Sequence, residues 1–300
     1  MNPLRLGQVR DWAVRAGFHP SRALGQNFLV DQNILDLLLR TAGVGTEDRV
    51  LEVGPGLGTL TARLLAAAKT VVAVEKDRRL HAFLQERFSG CASLRLVRAD
   101  MLDVDMESLL DTESPAPWRV VSNLPYAAGT RFLMNAATME QGPHSATVTL
   151  QKEVAQRLAA DPGARSYGMI SVWSQARYHV RRIKDVSSTC FWPRPAVVSS
   201  IVHMRRRADV ALDADSARLL GALSRQAFGQ RRKQMAAVLG VHAGSAADRS
   251  VFVQALERVG LNEKARAEDL SADQWVAFTR QVRRLAPRLG RPITSGQGER

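Results

Sequence analysis

Asn123-Leu124-Pro125-Tyr126 brings an amide, a stiff turn and an aromatic ring together within four residues. The chemistry they suit is activation of an adenine amine. The N6 lone pair of adenine is delocalised into the ring, so N6 is a poor nucleophile. A group that accepts a hydrogen bond from N6–H favours a more pyramidal nitrogen with a freer lone pair. The Asn123 side-chain oxygen and the Leu124 carbonyl can both accept it. Pro125 fixes the turn through its locked φ, and Tyr126 offers a face on which a base can stack. The plainer alternative is an Asn/Pro turn that follows a strand and does nothing more.

Three features upstream could hold a nucleoside. Glu52-Val53-Gly54-Pro55-Gly56-Leu57-Gly58 reads as a strand-to-helix turn. Its glycines let backbone approach a ligand that side chains would block, and a helix N-terminus follows. Such a turn serves dinucleotides, sulfonium nucleosides or tight packing alone. Thr59 stands where G-x-G-x-x-G would continue, which counts against NAD. Glu75 ends the apolar run Val71–Val74, 75−54 = 21 residues after Gly54, where a carboxylate can accept both ribose hydroxyls. Asp100 ends the next unit, where it can accept from an adenine amino group. Ligands of open α/β sheets bind along the carboxyl ends of strands, so a series of such ends matters more than any one of them.

The elements needed to position these residues can be read from period and punctuation. Leu4–Gly17 predicts an amphipathic helix, and Asp31 caps a second helix, 31–41. From Arg49 onward, short apolar strands alternate with helices: strands 49–53, 70–74, 94–97, 119–122 and 146–150, helices 59–68, 77–88, 130–139 and 152–160. Two late strands follow, 178–186 and 197–204. This pattern predicts an α/β fold with a doubly wound, mostly parallel seven-stranded sheet. After Arg207 only helices are expected: 216–228, 231–239, 250–259 and 272–285. The expected division is an N-terminal helical segment with a ligand-facing loop (1–45), the sheet domain (46–208), a small helical domain (209–286) and a disordered tail (287–300).

The chain has 300 residues, with 42 Lys+Arg against 29 Asp+Glu, a net charge of +13. Apolar residues make up 45%, enough for a full core, which excludes a wholly disordered chain. No apolar run is long enough to cross a bilayer, and Met1–Arg5 opens no secretory signal, so a cytoplasmic protein is expected. Cys91 and Cys190 form no C-x-x-C pair. The six histidines are scattered and no metal site is expected. Residues 201–300 carry 18 basic and 10 acidic groups, a denser surplus than the 24 and 19 of residues 1–200. A polyanion is the favoured partner, and Arg231-Arg232-Lys233, expected to start a helix in the basic C-terminal region, is the favoured phosphate contact, the alternative being packing against acidic neighbours.

Together these motifs resemble the ribosomal RNA adenine N6,N6-dimethyltransferase family. Gly25-Gln26-Asn27-Phe28-Leu29, the 52–58 turn, Val74-Glu75-Lys76-Asp77, Ala99-Asp100 and Asn123–Tyr126 carry the resemblance. It continues in Phe191-x-Pro193-x-Pro195-x-Val197-x-Ser199, Ala227-Phe228-x-Gln230-Arg231-Arg232-Lys233 and Arg266-Ala267-Glu268-x-Leu270-Ser271, and spans about residues 18–285. It implies a Rossmann-like methyltransferase domain using S-adenosyl-L-methionine. Asn27, Leu29, Gly54, Glu75, Asp100 and Asn123 match cofactor positions, Asn123–Tyr126 the target-adenine motif, and Phe191 an aromatic that holds a flipped base. The implied activity is dimethylation of two adjacent adenosines in the 3′-terminal hairpin loop of small-subunit rRNA, by a monomer acting on the assembling subunit. Two rivals are a large-subunit rRNA methyltransferase conferring antibiotic resistance and a non-catalytic RNA-binding assembly factor. DNA methylation is disfavoured, because no target-recognition domain is apparent. Ala127-Ala128 departs from the usual Asn-Ile of the family.

Overall fold

The computed structural model describes residues 6–21, 25–110, 118–210, 212–243 and 246–287. In chain order the elements are α1 (Leu6–Arg15), β1 (Phe28–Leu29), α2 (Gln32–Ala42), β2 (Arg49–Val53), α3 (Thr59–Ala67), β3 (Thr70–Glu75), α4 (Arg78–Arg87) and β4 (Leu94–Arg98). Then come α5 (Met106–Leu110), β5 (Trp118–Asn123), α6 (Tyr126–Thr138), β6 (Ser145–Gln151), α7 (Lys152–Leu158), α8 (Met169–Arg177) and β7 (Tyr178–Val186). The last are β8 (Phe191–Trp192), β9 (Ser199–Arg206), α9 (Ala214–Gly229), α10 (Met235–Ala243), α11 (Ala246–Glu257) and α12 (Ala272–Leu285). The tail expected from 287 lies outside the described residues from 288 on, as do residues 1–5 and 22–24 of the N-terminal segment.

The chain divides into two compact units: 1–136, 141–156 and 179–206 form one, and 137–140, 157–178 and 207–300 the other. The first carries a seven-stranded sheet of order β4-β3-β2-β5-β6-β9-β7. Its first five strands pair in parallel, and β9 runs antiparallel to β6. The expected doubly wound, mostly parallel sheet is therefore what forms. Strands β2 and β6 are almost entirely buried, as sheet covered on both faces requires. Leu35 and Leu38 from α2, Val50 from β2, Leu60 and Leu64 from α3, and Val121 from β5 share one core cluster. Asp31 caps α2 by accepting from the Ile34 amide at 3.0 Å.

Strand order reverses between β2 and β5. That switch point opens a crevice at the carboxyl ends of the strands. A two-residue ribbon, β1 against β8, lies outside the main sheet and pairs Phe28 with Trp192 and Leu29 with Phe191.

The second unit has its own helical core, including Tyr167, Phe252, Leu270, Trp275 and Phe278. The Tyr167 hydroxyl donates to the Leu270 carbonyl (2.9 Å) and the Trp275 indole to Ala267 (3.1 Å). These bonds satisfy the polar tips of two buried aromatics. Residues 157–178, including α8, cluster with the C-terminal helices although they precede the last two strands.

Candidate functional site

The cleft at the switch point is lined by Gly25–Phe28, Val53, Gly54 and Gly56, Val74–Asp77, Leu80, Ala99–Met101, Asn123–Tyr126 and Ala128. Eight of the sequence-predicted residues meet there: Asn27, Gly54, Glu75, Asp100, Asn123, Leu124, Pro125 and Tyr126. The parallel strands bring them together, because β2, β3, β4 and β5 all end on the same edge.

The glycine turn is shaped by close approach. Gly54 and Gly56 have φ of +68° and +59°, which L side chains rarely adopt. A Cβ on Gly54 would stand 3.0 Å from Pro125, and one on Gly56 would stand 2.7 Å from the Phe28 ring. The turn therefore presents bare backbone between the reactive motif and Phe28, as a nucleoside cradle needs.

Glu75 is nearly buried and each carboxylate oxygen is anchored. Oε2 accepts from the Gly56 amide (3.1 Å) and Oε1 from the Asp77 amide (2.8 Å). Burial pushes its pKa up to about 7, against the lowering effect of those amides. Deeper still, Glu52 is 1% exposed and accepts from the Thr61 hydroxyl at 2.6 Å. Burial pushes its pKa up to about 8, and repulsion from Glu75 adds to the rise. Asp100 is held below the usual carboxylate range, chiefly by the hydrogen bond from Lys76 Nζ (2.6 Å), then by the Leu102 amide (3.0 Å). Held ionised, it can only accept hydrogen bonds.

The N-terminal wall is tied in by side chains. Gln26 Nε2 donates to Asp77 (2.9 Å), whose other oxygen caps α4 through the Arg79 and Leu80 amides. Asn123 donates from Nδ2 to the Asn27 carbonyl (2.8 Å), while its Oδ1 accepts from the Thr149 hydroxyl. The Tyr126 hydroxyl pairs with Ser199.

Two predicted residues lie elsewhere. Leu29 and Phe191 are not among the lining of the cleft. They are cross-strand partners in the β1/β8 ribbon, 4% and 3% exposed, with side chains in the core cluster that includes Leu35 and Ile201. The aromatic faces at the cleft come from Phe28 and Tyr126. Phe28 stacks on Trp192 at 6.0 Å. The basic cluster also differs from expectation, because it lies in the connection between α9 and α10 instead of starting a helix. The Arg231 guanidinium faces inward to Glu268 and to the Arg165 (2.7 Å) and Ala164 (3.0 Å) carbonyls. Of the three, Arg232 and Lys233 are exposed and Arg231 is half-buried.

Sequence reasoning missed Phe28, Gln26, Lys76 and Asp77 as individual members of the site. All four sit inside the motifs quoted above, so adjacency was the available signal. Thr149 has no local signal, since only strand pairing sets it beside Asn123.

Residues 17–283 match the ribosomal RNA adenine dimethylase family. A protein of Mesorhizobium japonicum named Ribosomal RNA small subunit methyltransferase A is 39% identical over 92% of this chain and 98% of its own. Another of that name, from Streptomyces avermitilis, is 37% identical over 89% and 90% respectively. Among solved structures, a dimethyladenosine transferase from Plasmodium falciparum superposes with a TM-score of 0.68, at 22% identity over 84% of this chain and 95% of that one. The 23S rRNA methyltransferase ErmE gives a TM-score of 0.65 at 25% identity, over 85% and 99%.

Proposed function

The chain belongs to the ribosomal RNA adenine dimethylase family, and on that premise we propose that it dimethylates N6 of two adjacent adenosines in the 3′-terminal hairpin loop of small-subunit rRNA. The observation that carries this reading is the meeting of Asn123–Tyr126 with Glu75 and Asp100 in one cleft. S-adenosylmethionine is the cofactor, and when bound it supplies an electrophilic methyl on its sulfonium. Glu75 keeps lone-pair capacity for ribose hydroxyls beyond that used by the backbone amides around it. Asp100 accepts from the adenine amino group. Gly54 and Gly56 admit the ligand to the backbone, and the Asn27 segment closes the wall.

On the target side, Asn123 Oδ1 and the Leu124 carbonyl accept from N6–H, and Tyr126 stacks on the base. A base must leave its helix to reach them, which single-stranded loops allow at least cost. Each transfer replaces one N6 hydrogen, which leaves as a proton to solvent; N6-methyladenosine still has one N–H to donate and the dimethylated product has none, so the reaction stops at two. Positioning and preorganised acceptors supply most of the rate. With Phe191 in the core, its part is to fix the ribbon that carries Phe28.

The helical unit is the RNA-binding module, through Arg232 and Lys233 and the surplus charge around them. Under this reading the chain works in the cytoplasm, as a monomer, on the assembling small subunit. Among the described residues no helix is long and apolar enough to cross a membrane. The small-subunit names of relatives at 35–39% identity over most of the chain support this target over the large subunit. The intact Asn123 and Asp100 support turnover over a purely assembling role. The test is labelled methyl transfer to purified small and large subunits from cells lacking the modification. Label in the small subunit alone is expected; label in the large subunit alone would reassign the target.

A further inference from the structure

Asn123 reaches the cleft from the end of β5, and Thr149 lies directly across from it on β6, in register. Thr149 is fully buried. Its hydroxyl donates to Asn123 Oδ1, while Asn123 Nδ2 donates to the Asn27 carbonyl over 2.8 Å. The amide is thus held at both ends. A backbone carbonyl can only accept, so Asn27 dictates which end of the amide is nitrogen; with the amide reversed, two oxygens would face each other. The last torsion of an asparagine is broad and roughly two-fold. The Asn27 anchor settles which of the two orientations is taken, and the Thr149 anchor narrows the remaining swing about that torsion. Each anchor occupies one site, so Oδ1 keeps one lone pair and Nδ2 one hydrogen.

We propose that Thr149 is a positioning residue for methyl transfer, its hydroxyl holding the Asn123 amide so that the remaining Oδ1 lone pair meets the target amine in a fixed direction. This rests on the role assigned to Asn123 above. Thr149 belongs to none of the sequence motifs and does not line the cleft, so it acts only through Asn123. A hydroxyl on a buried central strand is a costly group to hold without a partner, and here the partner is the reactive amide.

Two substitutions separate the hydroxyl from the shape. T149V keeps the branched side chain and removes the hydroxyl; T149S keeps the hydroxyl and removes the methyl. Each is measured by single-turnover methyl transfer to small-subunit RNA and, separately, by calorimetric binding of S-adenosylhomocysteine. T149V should slow transfer about tenfold, the scale of one lost hydrogen bond, with S-adenosylhomocysteine affinity unchanged. T149S should restore most of the rate. A wild-type rate in T149V overturns the proposal. Equal slowing in both variants overturns it too, because packing would then be the cause. T149A, also lacking the hydroxyl, replaces T149V in the comparison if T149V does not fold. No transfer by the wild-type chain would overturn the assigned activity and this role with it, whereas variant rates in an active enzyme bear on Thr149 alone.

Discussion

At the scale of single residues, burial raises the carboxyls of Glu75 and Glu52, while a hydrogen bond from Lys76 holds Asp100 low. Glu75 titrates near 7, so lowering the pH through that value converts an acceptor into a partly donating acid. Affinity for S-adenosylhomocysteine should therefore hold constant above about pH 8 and fall below about pH 7. Glu75→Gln should abolish that slope, and Glu75→Ala should weaken binding at pH 8 by about 1.5–3 kcal/mol. Calorimetry across this range checks all three. Glu52 gives a stability prediction. Its folded pKa, about 8, lies above the ordinary 4.5, so its contribution is fully present below about 4.5 and lost as pH rises through about 8. Glu52→Gln should thus be more stable than the parent at pH 8.5 and lose that advantage at pH 5, measured by denaturant unfolding at each pH. For the chemistry, Asn123→Ala should cut single-turnover transfer by about 10²-fold, with RNA binding retained. A near-parental rate for that variant would leave Asn123 a turn former.

At the scale of elements, much was legible because parallel strands and their helices announce themselves locally. Arg49–Val53, Tyr178–Val186 and Ala272–Leu285 form with the bounds read from the sequence, and Glu75, Asp100 and Asn123 fall at or just beyond strand ends as their spacing implied. What was not legible has physical causes. Helix α8 hides its period, because Ser171, Ser174 and Arg177 are among its buried residues. The two serines satisfy their hydroxyls on backbone carbonyls of α7 or its own turn, which composition cannot reveal. Helix α6 starts at Tyr126, four residues before the expected Thr130, since Pro125 sets the chain direction and Ala127-Ala128 are strong helix formers. The β1/β8 ribbon joins residues about 160 apart in sequence, so no window contains the pairing that buries Phe191. A charge run such as Arg231-Arg232-Lys233 suits phosphate and acidic neighbours alike, and only the fold shows Glu268 beneath Arg231. Arg231→Ala should therefore lower stability by about 1–2 kcal/mol, the worth of a charge-assisted hydrogen bond discounted for partial exposure. Thermal unfolding checks it, and an unchanged melting temperature would return Arg231 to the RNA surface.

For the whole molecule, a net charge of +13 on a chain with a carboxylate-lined cleft separates two tasks. On the proposed function, the cleft would read a nucleoside through its acceptors, and the basic surface would gather the polyanion that carries the target. Replacing Arg232 and Lys233 together with Ala should leave cofactor affinity and melting temperature intact. It should weaken binding to small-subunit RNA and flatten its log–log salt dependence by roughly 0.7–0.9 per lost phosphate contact. Dimethylation of neighbouring adenosines of small-subunit rRNA by this chain is tested by product mapping. Small subunits from a strain lacking the modification are incubated with the purified chain and S-adenosylmethionine, and the RNA is digested and sequenced by mass spectrometry. N6,N6-dimethyladenosine is expected at two adjacent positions in the 3′-terminal hairpin loop, and far less of it in the same time with Asn123→Ala. Methylation that stops at one methyl, falls on another nucleotide, or persists undiminished in Asn123→Ala would contradict it.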